Sequence, residues 1–320
     1  MNISVTDPIS DAFDWMKRVL FQPFDFKKWL VLGFCAFLAG LGQGGCQARF
    51  NVGGGDGGPV DSFFRGAIDW ARANPVLAAT IIAAVVAAGL ALFVLFQWLS
   101  SRGIFMFLDG VVRDRAAVVE PWRDFREAAN SLFLLRMLLI VFGLLAFLLI
   151  AGGAALIAWP DIDSGTFGTH AFIALFVGVF LFVPLAIALG MVNAVLVDFA
   201  VQIMYRRGTS ARESLGILWR QILRPNVWSF VLFYLMKMVL GIAAAAIAFV
   251  AICATCCIAA LPYVNSVVLL PIAVFFRAYS IFFLAQCGDE WNIMPAEPEQ
   301  SPPPDSAPMP GGEGQTGPAV

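Results

Sequence analysis

One histidine, His170, occurs in 320 residues. A metal centre built on several imidazoles lacks its parts, and so does most acid–base or triad chemistry that relies on one. The chain contains no H-E-x-x-H, no G-x-S-x-G and no G-x-x-x-x-G-K. A zinc-protease helix, a nucleophile elbow and a phosphate-cradling loop are therefore not expected, and neither is a cofactor. Charge is scarce as well, at 13% of residues against ~25% in a typical soluble domain. Lys and Arg are absent from 288 to 320, which carries Asp289, Glu290, Glu297, Glu299, Asp305 and Glu313. Subtracting those six acids from 22 leaves 16 against 20 basic residues, or +4, for the first 287. No basic stripe marks a nucleic-acid partner.

Apolar sequence fills the space. Residues 76–99 read VLAATIIAAVVAAGLALFVLFQWL, twenty-four positions without a charge. At ~1.5 Å per residue that run crosses the ~30 Å hydrocarbon core of a bilayer. Similar runs occupy 132–158, 171–197, 228–252 and 262–285, with a shorter one at 29–41; Arg136, Lys237 and Arg277 are the charges inside them. The fold class is all-α: a polytopic transmembrane bundle of about six spans over residues 1–287. The lipid bilayer is its first partner. The first apolar run continues into Gly-rich sequence with no signal-peptide cleavage pattern, so that span is expected to be retained.

Basic residues alternate with the spans. Lys17, Arg18, Lys27 and Lys28 precede the first; Arg102, Arg113, Arg115, Arg123 and Arg126 lie between the second and third; Arg206, Arg207, Arg212, Arg220 and Arg224 lie between the fourth and fifth. The alternate segments are poorer: Arg49, Arg65 and Arg72 follow the first span, and 159–170 and 253–262 have none. Basic loops favour the cytoplasmic side, which places both termini there. The basic segments are also amphipathic. Ala12, Trp15, Met16, Val19 and Leu20 share one helical face; Trp122, Phe125, Ala129, Leu132 and Phe133 another; Ala211, Leu215, Leu218, Trp219 and Ile222 a third. Helices of this type lie in the membrane interface. The chain then reads as three copies of one unit: interfacial helix, span, outer loop, span.

Of the six cysteines, Cys35, Cys253 and Cys287 sit within or at the ends of spans and read as small apolar packing residues. A disulfide from Cys46 to Cys256 or Cys257 is the sharper alternative, since both sites fall on the outer side. The glycines of 42–58 read as a linker, and residues 61–74 as a further amphipathic helix. Asp161-Ile162-Asp163-Ser164-Gly165 has turn chemistry without the closing Glu of a calcium loop. The Pro- and acid-rich tail, 288–320, lacks the apolar content to fold and reads as a docking segment for other membrane proteins.

Ionisable groups inside spans are the best functional candidates, because an unpaired charge in hydrocarbon is costly. Asp109, Asp198 and Arg277 each fall late in the second span of a repeat, so superposed repeats would bring them together, with Arg277 neutralising Asp109 or Asp198. Lys237, in the fifth span, joins this candidate cluster, whereas Arg136 reads as snorkelling to the inner face. Asp109 can alternatively pair with Arg113 at i,i+4. Catalytic and metal-ligating residues are not identified. The leading functional reading is a non-enzymatic structural, assembly or accessory membrane protein, and the alternative a small permease or channel using the intramembrane charges.

The stretch FQPFDFKKWLVLGFCAFLAGLGQGG, residues 21–45, resembles the opening of an uncharacterised family of bacterial multi-pass membrane proteins. The alternation of basic amphipathic linkers and spans is similar to the membrane domain attached to some glycerophosphodiester phosphodiesterases. The resemblance implies a bacterial inner-membrane setting and no reaction, since a single histidine cannot supply the His-rich site of those phosphodiesterases.

Overall fold

The computed structural model describes residues 3–42, 66, 68–165, 168–254 and 261–295. Among them the chain is all-helical. The elements that matter are α1 (Asp7–Phe21), α2 (Phe26–Leu41), α3 (Pro75–Val112), α4 (Val119–Asp124), α5 (Arg126–Ser164), α6 (Thr169–Val195), α7 (Val201–Arg207), α8 (Ala211–Ile217), α9 (Val227–Ala254), α10 (Pro262–Val268) and α11 (Leu270–Ala285). A π-helical turn, Leu196–Ala200, joins α6 to α7 without a break, and a second one, Leu218–Leu223, lies between α8 and α9.

Local signals place these helices where the sequence predicts them. Asp25 caps α2 by accepting the Lys27 N–H at 2.8 Å, and Pro75 occupies the first position of α3 after Asn74, as cap and fixed-φ preferences require. The amphipathic faces bury as expected: Ala12, Met16, Val19 and Leu20 of α1 are in the core. So are Ala211, Leu218 and Ile222, whereas Trp219 stays exposed.

Four continuous helices are long and apolar enough to cross a membrane: 75–112, 126–161, 169–207 and 211–253. The predicted runs at 29–41 and 262–285 are helical but short. The helix α2 has 16 residues, ~24 Å at 1.5 Å per residue, and the second run is divided at Leu269 into α10 and α11 ahead of Pro271. A proline removes one helical hydrogen bond and crowds the preceding turn, which is reason enough for the division.

The four long helices change environment abruptly. Along α3 every residue from 79 to 96 is exposed and every residue from Ser100 to Val112 is buried. Between Thr169 and Val195 only Ala174 is buried, yet 196–204 is buried throughout. Helix α5 has no buried residue between 137 and 160, and α9 none between 234 and 253. One end of each long helix thus joins a compact core, while the other projects as an apolar limb. The limb of α3 is apolar all round and ~27 Å long over its 18 exposed residues, close to the thickness of hydrocarbon.

The core forms around the buried half of α3. Helix α2 packs along it, α11 packs on α1, and α5 pairs with α6. A Cβ built on Gly103 would stand 2.5 Å from the Ala39 backbone nitrogen, so this glycine sets the α2–α3 distance. A ring cluster closes the other side: Phe233 stacks on Tyr279 at 4.8 Å and packs against Phe199 at 5.1 Å and Phe283 at 4.5 Å. Residues 288–295 pack against the core through buried Trp291 and Ile293, and Glu290 pairs with Arg207 at 2.9 Å. The rest of the predicted tail, 296–320, lies outside the described residues, as do Cys46, Cys256, Cys257 and the glycine-rich stretch from 43.

Adding a methyl at Gly103 forces α2 away from α3. Gly103→Ala should cost ~1–3 kcal/mol, the usual range for overpacking, and lower the melting temperature in detergent. Gly89→Ala, where nothing lies within 4 Å of the added atom, should leave it unchanged. Equal melting of the two variants would refute the close-approach role of Gly103.

Candidate functional site

The π turn at 196–200 is where α6 passes from limb to core. Five residues instead of four close each hydrogen-bonded ring there, which rotates the following side chains and turns carbonyls off the regular ladder. Two of those carbonyls are used. Val197 O accepts from Arg277 Nη1 of α11 at 2.8 Å, and Asp198 O accepts from Gln202 Nε2. The Asp198 carboxylate is turned toward α9, where Lys237 Nζ lies 2.6 Å from Oδ2 and the Tyr234 hydroxyl donates to the same oxygen at 3.3 Å. Ser280 holds the arginine's own turn by donating to Arg277 O at 2.8 Å, and accepts from Gln202 at 3.2 Å.

Asp198, Lys237 and Arg277 all line one cavity of about 210 Å³, walled on the α2 side by Ala36, Ala39 and Gly40. Three of the four candidate charges therefore meet. The pairing differs from the sequence expectation: the partner of Asp198 is Lys237, and Arg277 is held by a backbone carbonyl beside it. The π turn decides this, since it re-aims residue 198 within the helix.

Asp109 sits elsewhere. Fully buried near the end of α3, it accepts from the Tyr205 hydroxyl at 2.9 Å and from Arg115 Nε at 3.0 Å, with Arg113 Nε at 3.2 Å. Arg115 also reaches Glu120 at 2.6 Å. Its guanidinium, beyond the end of the long helix, is pushed above its usual range, chiefly by the hydrogen bond to Asp109. The expectation that Arg277 neutralises Asp109 is replaced by the local alternative, the i,i+4 partner Arg113 together with Arg115. This cluster ties α3, the following loop and α7.

Two further cations carry the interior. Arg136 is 3% exposed, so it does not snorkel. It donates to Gly42 O at 3.1 Å, Ser100 Oγ at 3.3 Å and Asn193 Oδ1 at 3.3 Å. Arg102 packs against the rings of Trp98 and Trp122, 4.7 and 4.8 Å from their centroids, and donates to Trp122 O at 3.0 Å. The signal for both was the run Gln97, Ser100, Ser101, polar residues following a charge-free span. Near the end of α5, Asp161 accepts the Ala171 N–H at 2.7 Å and contacts His170 at 3.3 Å, which anchors the start of α6.

A family model described as a family of unknown function (DUF7544) matches residues 3–270. No curated protein and no solved structure matches the chain. The similarity to the membrane domain of glycerophosphodiester phosphodiesterases finds no support in these comparisons.

Asp198 and Lys237 should couple. Lys237→Met leaves a carboxylate beside a single cavity-facing arginine. Its cost should fall at or below the low end of the ~3–5 kcal/mol of a fully buried pair, because the Lys237 side chain keeps 27% exposure. Asp198→Asn in the same chain should recover part of that loss, whereas Arg277→Gln with Asp109→Asn should be additive. Denaturation in detergent across both double-mutant cycles measures this, and additivity of Asp198 with Lys237 would disprove the pair.

Proposed function

The chain belongs to this family of unknown function, and we propose that it is a multi-pass integral membrane protein with a structural, assembly or accessory role and no reaction of its own. One observation carries the reading. In each long helix the most apolar 18-residue window is at most 6% buried within the chain. A permease must enclose a polar path across the whole bilayer, and the exposed limbs are apolar, α5 and α6 meeting through contacts such as Phe147 on Phe182 at 5.3 Å. Uncovered apolar limbs instead complement lipid tails or the helices of other membrane proteins.

In the proposed topology, four bilayer-length helices are joined by the shorter α2 and the α10–α11 pair, six elements arranged as three repeats. Both termini face the cytoplasm of a bacterial inner membrane. Contacts at the inner ends support a common side for the termini: Ser4 N–H donates to Gln286 Oε1 at 2.8 Å, and Lys28 pairs with Asp114 at 2.5 Å. The basic loops favour the cytoplasmic assignment. The acidic sequence from 296 onward is the proposed docking segment for other membrane proteins.

The second reading, a small permease, is favoured by the cavity at Asp198, Lys237 and Arg277, since buried charges mark solute paths. Reconstituted vesicles separate the two. The purified chain alone should pass neither ions nor small organic anions above the leak of empty vesicles. A flux that disappears in Lys237→Ala would replace the accessory role with transport. Reporter fusions at Gly165 and after Pro295 should lie on opposite sides of the membrane, and a shared side would remove the topology.

A further inference from the structure

The cavity at the π turn carries more cation than its own residues neutralise. Lys237 and Arg277 face it with Asp198 as the one acid, a net +1. Asp198 already receives Lys237 and Tyr234. Among the described residues Arg277 makes no ion pair, and one of its five N–H groups is used, on Val197 O. Arg277 is 9% exposed, and its guanidinium lines the cavity with N–H groups left to give. An arginine so placed needs acceptors to offset its desolvation.

We infer that the cavity binds a phosphate monoanion, carried either by free phosphate or by a phospholipid headgroup. The charge matches, since one negative charge neutralises the surplus. The donors match as well, because the planar fork of Arg277 suits two phosphate oxygens while Lys237 adds a point charge. Space is available: Ala36, Ala39, Gly40 and Ala273 leave about 210 Å³, about seven times the ~30 Å³ of one water. Gly40 lines the chamber, and a Cβ built there meets nothing within 4 Å, so a larger side chain has room at this wall. The inference holds for an accessory protein and for a permease alike, so its failure would leave the choice between them untouched.

The test uses the full chain in a detergent without phosphate. Thermal melting is followed with inorganic phosphate against chloride at equal ionic strength. A second arm adds phosphatidylglycerol to mixed micelles, against diacylglycerol with the same acyl chains. Phosphate at about tenfold its Kd should raise the melting temperature by roughly 2–4 °C. A rise with phosphate identifies a soluble ligand, and a rise with phosphatidylglycerol alone identifies a headgroup site. Gly40→Leu fills the chamber without altering a charge and should abolish the rise while the protein still elutes as a folded species. Arg277→Gln should abolish it too. No rise in either arm, or a rise that survives Gly40→Leu, overturns the site.

Discussion

A guanidinium among apolar helices has to find acceptors, because no water follows it there. Arg136 finds them on three other helical segments: the last turn of α2 through Gly42 O, α3 through Ser100, and α6 through Asn193. Among the described residues no carboxylate joins it. The end of α2 supplies the negative pole instead, since the last carbonyls of a helix lack intrahelical partners and carry its dipole. Ser100 in turn donates to Ala39 O at 2.8 Å. One cation therefore links the end of α2, the α3 boundary and α6 of the α5–α6 pair, beside the close α2–α3 approach that Gly103 permits.

The polar groups share a second property: they sit where burial gives way to exposure. Gln97 and Ser100 mark the change on α3, Arg136 on α5, Asp198 on α6–α7, and Lys237 lies just beyond Phe233 on α9. Inward of this level, side chains interdigitate and backbones are close. Outward, α3 and α9 present apolar residues on all sides, while α5 and α6 stay paired through contacts such as Phe147 on Phe182. Charges placed farther along the limbs would have no partners, and charges deeper in the packed interior would need space that the rings of Phe199, Phe233 and Phe283 occupy. The boundary is where a cavity can be both polar and sheltered.

Much of this was legible in advance. Unbroken apolar runs demand helices wherever water is excluded, since only helices and closed barrels satisfy their own backbones in lipid. The faces of α1 and α8 could be read at 3.6-residue spacing, and Asp198, Lys237 and Arg277 stood out because charge is rare in such runs. The pairing was not legible. Arg277 shares a cavity with Asp198 but bonds Val197 O of the π turn, while Lys237 takes the carboxylate. Arg136 was read as snorkelling because its distance from the inner end allows that; the acceptors that hold it come from residues 42, 100 and 193, distant in sequence.

By itself the sequence determined composition-level facts: an all-helical chain, long apolar runs of which four prove to be bilayer-length helices, amphipathic basic linkers, and charges too few and too isolated to be accidental. These follow from local periodicity and from the high cost of exposing backbone to hydrocarbon. The tertiary structure alone decided which charges share a site, that the spans leave the core as uncovered limbs, and that the runs at 29–41 and 262–285 are short helices packed on α3 and α1. Those outcomes depend on backbone separations near Gly103 and on one altered helical turn. Both are properties of segments brought together in space, which residue spacing along one chain does not encode.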